Sequence, residues 1–336
     1  MTNVVITMPH SITEGELETL HSLDSRLRVA VLDREQRRFL RTPGDGSDPA
    51  DRALRDLLAE AEVIAIGWDW IGDLPRRAPK LKWLHTTAAG VDAYLRGGAV
   101  APGVLFTSGN GPSAVPIAEY VLMAILALAK GAPAYVRQQQ EHRWQSGPGF
   151  EVRGQTVGIV GYGHIGGEAG RLAKAIGCRV IGIRRSVEAP QENAEGADLL
   201  LPPRDLPRLL AESDFVVLTA PATAETAVLI DAAALEQMKP SAYLINVARG
   251  SLVDEQALID ALKRGRIAGA ALDVFAQEPL PPESELWDLP QVLVTPHHSS
   301  ASQHTRARQA ALFLENLRRY LHGERLLNVV DPRRGY

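Results

Sequence analysis

Short apolar runs alternate with amphipathic ones along most of the chain, and this alternation restricts the folds open to it. VVITMP (4–9), RVAVLD (28–33), VIAIGW (63–68) and LKWLHT (81–86) read as strands, and DRALRDLLAEAE (51–62) puts Leu54, Leu57, Leu58 and Ala61 on one helical face. From Thr156 a second series begins with TVGIVG, RVIGIR, FVVLTAP, AYLINVA, AGAALDVF and QVLVTP. Strands that alternate with helices form right-handed βαβ units, hence parallel sheets covered on both faces. With 336 residues, at about 150 per domain, two domains are expected. The fold class predicted is α/β: two Rossmann-like or flavodoxin-like doubly wound parallel-sheet domains with a cleft between them.

The texture changes near residue 107. TSGNGPSAVP (107–116) is rich in turn-formers, with Ser113 placed to cap a helix and Pro116 in its first turn. That helix, running to about Ala129, is apolar nearly all round, which predicts burial between domains or against a second subunit. A homodimer contact is the reading favoured. At the other end, SSASQHTRARQAALFLENLRRYLHGE reads as one amphipathic helix with Leu312, Leu314, Leu317 and Leu321 among its apolar positions.

Charge and cysteine usage exclude several functions. With 36 Lys+Arg against 40 Asp+Glu, the net charge of −4 provides no grip on nucleic acid or an anionic membrane. The longest apolar run, 120–129, is too short to cross a bilayer, and MTNVVITMPH lacks the features of a secretion signal. One cysteine, Cys178, can form neither an internal disulfide nor a thiolate metal site. No metal is expected; a cytoplasmic protein acting on a small molecule is.

Gly161-Tyr162-Gly163-His164-Ile165-Gly166 is a G-x-G-x-x-G between an apolar strand and a helical pattern. A dinucleotide pyrophosphate sits at such a helix N-terminus, where unpaired N–H groups and the helix dipole favour negative charge. Gly161 allows the tight turn, Gly163 lets backbone approach the phosphate, and Gly166 permits close helix–strand packing. At the end of the next strand, NAD sites usually carry an acidic residue for the ribose. Here Arg184, Arg185 and Ser186 stand there, a set that would hold a 2′-phosphate and not repel it. NADP(H) is therefore the preferred cofactor, with NAD(H) as the alternative.

Arg249, Glu278 and His297 follow three separate apolar strands, and ligands of open α/β sheets bind at the carboxyl ends of strands. Their types suit hydride chemistry on a 2-oxo acid. A protonated imidazole can quench the charge that grows on the carbonyl oxygen. A carboxylate beside it orients the ring and favours its charged form. A guanidinium can grip the substrate carboxylate with two hydrogen bonds. Singly, each has a blander reading as a surface charge or a structural histidine; their shared placement gives the functional one its weight.

With TVGIVGYGHIG, NVARGSLVDEQAL, ALDVFAQEPL and LPQVLVTPH, the chain resembles the D-isomer-specific 2-hydroxyacid dehydrogenase family, from Ala89-Gly90-Val91-Asp92 to the terminal helix. The resemblance implies catalytic roles for Arg249, Glu278 and His297, and Asp273 on the nicotinamide carboxamide. It also implies a cofactor cleft lined by Pro221, Thr226 and Val247, and substrate carboxylate binding by backbone around Ala89 and Gly90, with Arg249 and His297 facing the substrate. It implies a discontinuous substrate domain, 1–106 plus 298–336, around a dinucleotide-binding domain, 107–297. Thr219 and Gly170 depart from the family, which often has His and Ala there. His298 and His304 are read as structural or rim groups. Trp68 and Trp70 are candidates for a lid, or simply for packing between domains.

The function expected is reduction of a small 2-oxo acid, glyoxylate or hydroxypyruvate first, to the 2-hydroxy acid. Within the same fold, formate and phosphite oxidation are enzymatic alternatives, and Glu278 in its E-P setting argues against the formate enzymes. The alternative of a different class is a dinucleotide-sensing interaction protein of the corepressor type.

Overall fold

The computed structural model describes residues 2–7, 12–67, 71–96, 98, 100–147 and 149–336. Trp68 and Trp70 lie outside the described residues. The chain forms two compact units, Met1–Pro112 with Ser302–Tyr336, and Ser113–Ala301. Both dividing points fall slightly later in the chain than the sequence suggested, and hydrogen bonds explain the shift. Asn328 Nδ2 donates to the Ser108 and Asn110 carbonyls, which holds the stretch after residue 107 in the first unit. The backbone N–H groups of His298 and Ser299 donate to Asp273, which keeps that stretch in the second.

The first unit is built on five strands, β1 (Thr2–Ile6), β2 (Leu27–Val31), β3 (Val63–Ile66), β4 (Trp83–Thr86) and β5 (Leu105–Thr107). Their order is β2-β1-β3-β4-β5 and every pairing is parallel. This is the flavodoxin-like order, one of the two doubly wound arrangements. Side chains alternate between two cores. Val5, Ile64 and Leu84 face one helical layer with Leu54 and Leu58, while Val4, Ile6, Val63 and Trp83 face Phe313 and Leu317 of the C-terminal helix on the other. The buried Trp83 indole N–H donates to Thr107 Oγ1, which also meets His85 Nδ1. Burial pushes the His85 imidazole down to about 3.

The second unit carries β6 (Thr156–Val160), β7 (Arg179–Ile183), β8 (Gln191–Glu192), β9 (Leu199–Leu201), β10 (Phe215–Leu218), β11 (Tyr243–Asn246), β12 (Gly269–Leu272) and β13 (Val292–Val294). The order is β13-β12-β11-β10-β6-β7-β9-β8, parallel except for the short antiparallel pair β8–β9. From β9 to β12 it is the Rossmann order, whose direction reverses between β6 and β10.

Two local expectations need correction. The terminal amphipathic segment is helical only over Thr305–Leu321, because Ser299 is bound to Asp273 and Gly323, with φ +67, turns the chain away. Ser113 occupies the position before the Ala114–Ala129 helix, but its side chain caps nothing. One face of that helix packs within its own unit, where Ala118, Val121, Ala124, Ile125 and Leu128 join the core formed with Val157, Ala169 and Ala173. Met123 and Leu126 remain on the outside. No single described helix is long and apolar enough to cross a membrane.

Candidate active site

The glycine loop stands where the strand order of the second unit reverses. Gly161 has φ +100, and a Cβ on it would lie 2.5 Å from the Ala220 backbone nitrogen, so the loop can pass the end of β10 only as glycine. A Cβ on Gly166 would lie 2.5 Å from the Gly161 carbonyl oxygen, whereas one on Gly163, ahead of the His164–Ala175 helix, would meet nothing within 4 Å. The three glycines thus divide their work: two permit tight packing and the third leaves backbone open at a helix N-terminus, the arrangement a pyrophosphate requires. His164 opens the helix on the exposed side, with Ile165 half-buried behind it.

Both departures from the family pattern are accounted for here. The Thr219 hydroxyl donates to the Gly161 carbonyl at 2.8 Å and ties the loop to β10. Tyr162 is buried, and a Cβ on Gly170 would come within 2.7 Å of its hydroxyl; one on Gly182 would come within 2.5 Å of its ring. Glycine at 170 makes room for a tyrosine inside the loop.

His297 and Glu278 meet directly. His297 Nδ1 lies 2.7 Å from Glu278 Oε2, and the Phe275 N–H donates to Oε1 of the same carboxylate at 3.0 Å. An ionised carboxylate can only accept, so Nδ1 carries the proton in this contact and the carboxylate fixes the ring's orientation. His297 has φ +51, an uncommon conformation for a side chain of its size and one that marks a constrained site. Arg249 is half-buried after β11, with Nη1 donating to the Ala248 carbonyl at 2.8 Å. Its loop touches that of Glu278 through Gly250, where a Cβ would stand 1.9 Å from the Phe275 carbonyl carbon. The three loops are therefore physically joined.

Two buried side chains hold this arrangement, and sequence patterning gave neither that task. Asn246, at the end of β11, donates to the Arg249 carbonyl and accepts from the Ala248 N–H, which shapes the arginine loop. Asp273, fully buried, accepts from Thr295 Oγ1 (2.7 Å), His298 N (2.8 Å) and Ser299 N (2.9 Å), so it grips both sides of His297. Thr295 in turn accepts from the Tyr120 hydroxyl, which burial pushes up to about 12. With three donors on its two oxygens, Asp273 holds the loop around His297.

Arg184, Arg185 and Ser186 follow β7. The Arg184 guanidinium pairs with the Glu195 carboxylate, and Arg185 Nη1 lies 3.8 Å from Glu225 Oε2. Thr226 Oγ1 donates to the Pro221 carbonyl at 2.6 Å and closes the turn after β10, while Val247 is buried beside the start of the arginine loop. Ala89 and Gly90 are half-buried in the first unit, just beyond β4. The glycine loop, the two arginines and the trio all belong to the second unit.

Residues 122–299 match the family described as D-isomer specific 2-hydroxyacid dehydrogenase, NAD binding domain. Glyoxylate/hydroxypyruvate reductase B of Pectobacterium carotovorum is 38% identical over 282 residues, covering 82% of this chain and 87% of its own. Among solved structures, a D-isomer specific 2-hydroxyacid dehydrogenase from Xanthobacter autotrophicus Py2, in complex with NADPH and MES, superposes with a TM-score of 0.81 at 34% identity, covering 100% of this chain and 99% of that one. The NADPH-dependent glyoxylate/hydroxypyruvate reductase of Sinorhizobium meliloti, in complex with NADP and sulfate, also gives 0.81, at 29% identity and with 100% of both chains covered. A glycine loop at the sheet's reversal, a carboxylate-held histidine and likeness over nearly the whole length agree: the chain belongs to the D-isomer specific 2-hydroxyacid dehydrogenase family and is an NAD(P)-dependent oxidoreductase.

Proposed function

We propose that the protein reduces a small 2-oxo acid, glyoxylate or hydroxypyruvate, with NADP(H) preferred over NAD(H). The observation that carries this reading is the 2.7 Å contact between His297 Nδ1 and Glu278 Oε2, on loops joined to that of Arg249. The relatives named for glyoxylate and hydroxypyruvate support the substrate class, and the NADP-bound neighbours support the cofactor. The interaction-protein alternative gains no support from these relatives.

The residues fit a dinucleotide. Backbone at Gly163 and the N-terminus of the His164–Ala175 helix would receive the pyrophosphate, with Pro221, Thr226 and Val247 along the cleft. Arg184, Arg185 and Ser186 would take the 2′-phosphate. When bound, the nicotinamide supplies the hydride. Arg249 binds the substrate carboxylate and polarises the adjoining carbonyl, together with backbone at Ala89 and Gly90. His297 Nε2 gives its proton to the carbonyl oxygen, so that hydride on carbon and proton on oxygen complete the hydroxyl. Glu278 fixes the ring and balances the imidazolium charge before transfer. A panel of 2-oxo acids with NADPH and NADH, followed by absorbance loss, tests the reading. The highest kcat/KM should fall on glyoxylate or hydroxypyruvate with NADPH; no turnover of either would defeat it.

We also propose a homodimer. Met123 (44% exposed), Leu126 (37%), Val136 (55%) and Trp144 (102%) leave apolar surface on one stretch of the second unit. Exposed apolar side chains gathered in one stretch of the chain suit an association surface. Light scattering should give twice the chain mass for the native protein, and Leu126→Asp should shift it to the monomer mass. A native monomer at micromolar concentration contradicts the proposal.

A further inference from the structure

The Arg184–Glu195 pair points to a control on cofactor choice that lies outside the catalytic trio. Arg184 comes directly after β7, and its backbone N–H donates to the Leu201 carbonyl of β9 at 3.1 Å, so its position is set by the sheet. Glu195 sits in the turn that joins β8 to β9. This turn is held firmly: the Asn193 N–H donates to the Asp198 carbonyl at 3.0 Å, and the Asp198 side chain accepts from Lys174 Nζ and from the Val180 N–H, each at 2.8 Å. Asn193, Glu195 and Gly196 have φ of +50, +50 and +86. A left-handed glutamate is uncommon, so the fold maintains this turn against a local preference.

The same turn borders the glycine loop. A Cβ on Gly196 would lie 3.8 Å from the Tyr162 hydroxyl, inside the G-x-G segment. Burial, together with the Glu195 and Asp198 carboxylates, raises that phenol above its usual range. Glu195 therefore stands at the margin of the cradle, with its carboxylate on the guanidinium that would receive a 2′-phosphate.

We propose that Glu195 is a specificity-determining residue, an internal competitor that occupies Arg184 and must yield it when a 2′-phosphorylated dinucleotide binds. This rests on the reading of Arg184 as a phosphate clamp. A dinucleotide without the 2′-phosphate makes no demand on the pair, so Glu195 lowers the affinity for NADP(H) selectively and narrows the margin over NAD(H). The more distant Arg185–Glu225 contact, at 3.8 Å with Glu225 largely exposed, exerts a weaker version of the same competition.

Titration calorimetry with NADP+ and NAD+ on the full chain, compared across Glu195→Gln, Glu225→Gln, Arg184→Ala and the double variant Arg184→Ala/Glu195→Gln, reads this directly. Glu195 is exposed and its replacement leaves the turn's backbone bonds in place. Glu195→Gln should tighten NADP+ by about two- to five-fold, the range an exposed ion pair supports, with NAD+ unchanged; Glu225→Gln should do less. Arg184→Ala should weaken NADP+ by about tenfold or more, and in that background Glu195→Gln should have no further effect. If Arg184→Ala weakens NADP+ but Glu195→Gln leaves it unchanged, the competition is refuted and the clamp stands. A Glu195→Gln gain that persists without Arg184 refutes it too, as general charge repulsion would produce that result. If Arg184→Ala leaves NADP+ binding unaltered, the clamp itself falls, and the competitor with it.

Discussion

Replacing His297 with Asn lowers kcat for 2-oxo acid reduction by about 10²- to 10⁴-fold, the usual worth of a positioned general acid, while the dinucleotide Kd stays within about twofold of native. Asn is the better variant because residue 297 has φ +51, a region Asn tolerates more readily than most side chains. A loss seen with His297→Ala but not with Asn would trace to the backbone and not to the imidazole. Glu278→Gln keeps the shape of the side chain but removes the charge that balances the imidazolium, so its loss should be smaller and of the same kind. Comparable kcat in native and His297→Asn proteins, measured in single turnover, would assign the proton to another group.

Replacing Asp273 with Ala should destabilise the second unit by about 3–5 kcal/mol, since buried donors left without an acceptor cost about 1–3 kcal/mol each. Thr295 Oγ1 and the backbone N–H groups of His298 and Ser299 all lose their acceptor at once, and neither backbone donor can turn to another partner. For a unit of this size the melting temperature should fall by roughly 10 °C. Asp273→Asn is informative in a different way. Its amide can present oxygen to one side of the loop only, while its NH₂ group opposes a backbone N–H on the other. The loop around His297 loosens, so kcat falls even where the protein remains folded. Unchanged melting and kcat in both variants would contradict the role given to Asp273.

Much of this was legible in the sequence because the chemistry demands particular residue types at strand ends. Gly161, Gly163 and Gly166 follow from what a tight turn and a close backbone approach require, and Arg249, Glu278 and His297 each come shortly after an apolar run. What the sequence concealed depends on partners far along the chain. Asp273 reads as a polar residue after a strand, and only the fold brings Thr295, His298 and Ser299 to it. Asn246 likewise acquires its task from the loop it closes. The three-residue β5 and β9 and the two-residue β8 are too short for periodicity to declare them, and each exists because a longer neighbour offers an edge. For the Ala114–Ala129 helix, uniform apolarity says that the helix is covered but not by what, and part of the cover comes from its own unit.

Crystallography of the protein with NADP+ and a planar substrate analogue such as oxalate tests the catalytic assignment most directly. Nε2 of His297 should lie within about 2.6–3.2 Å of the analogue oxygen that replaces the reacting carbonyl, with Arg249 on the carboxylate and the Nδ1–Glu278 contact intact. An analogue bound with that nitrogen turned away, or gripped by a different cation, would contradict it.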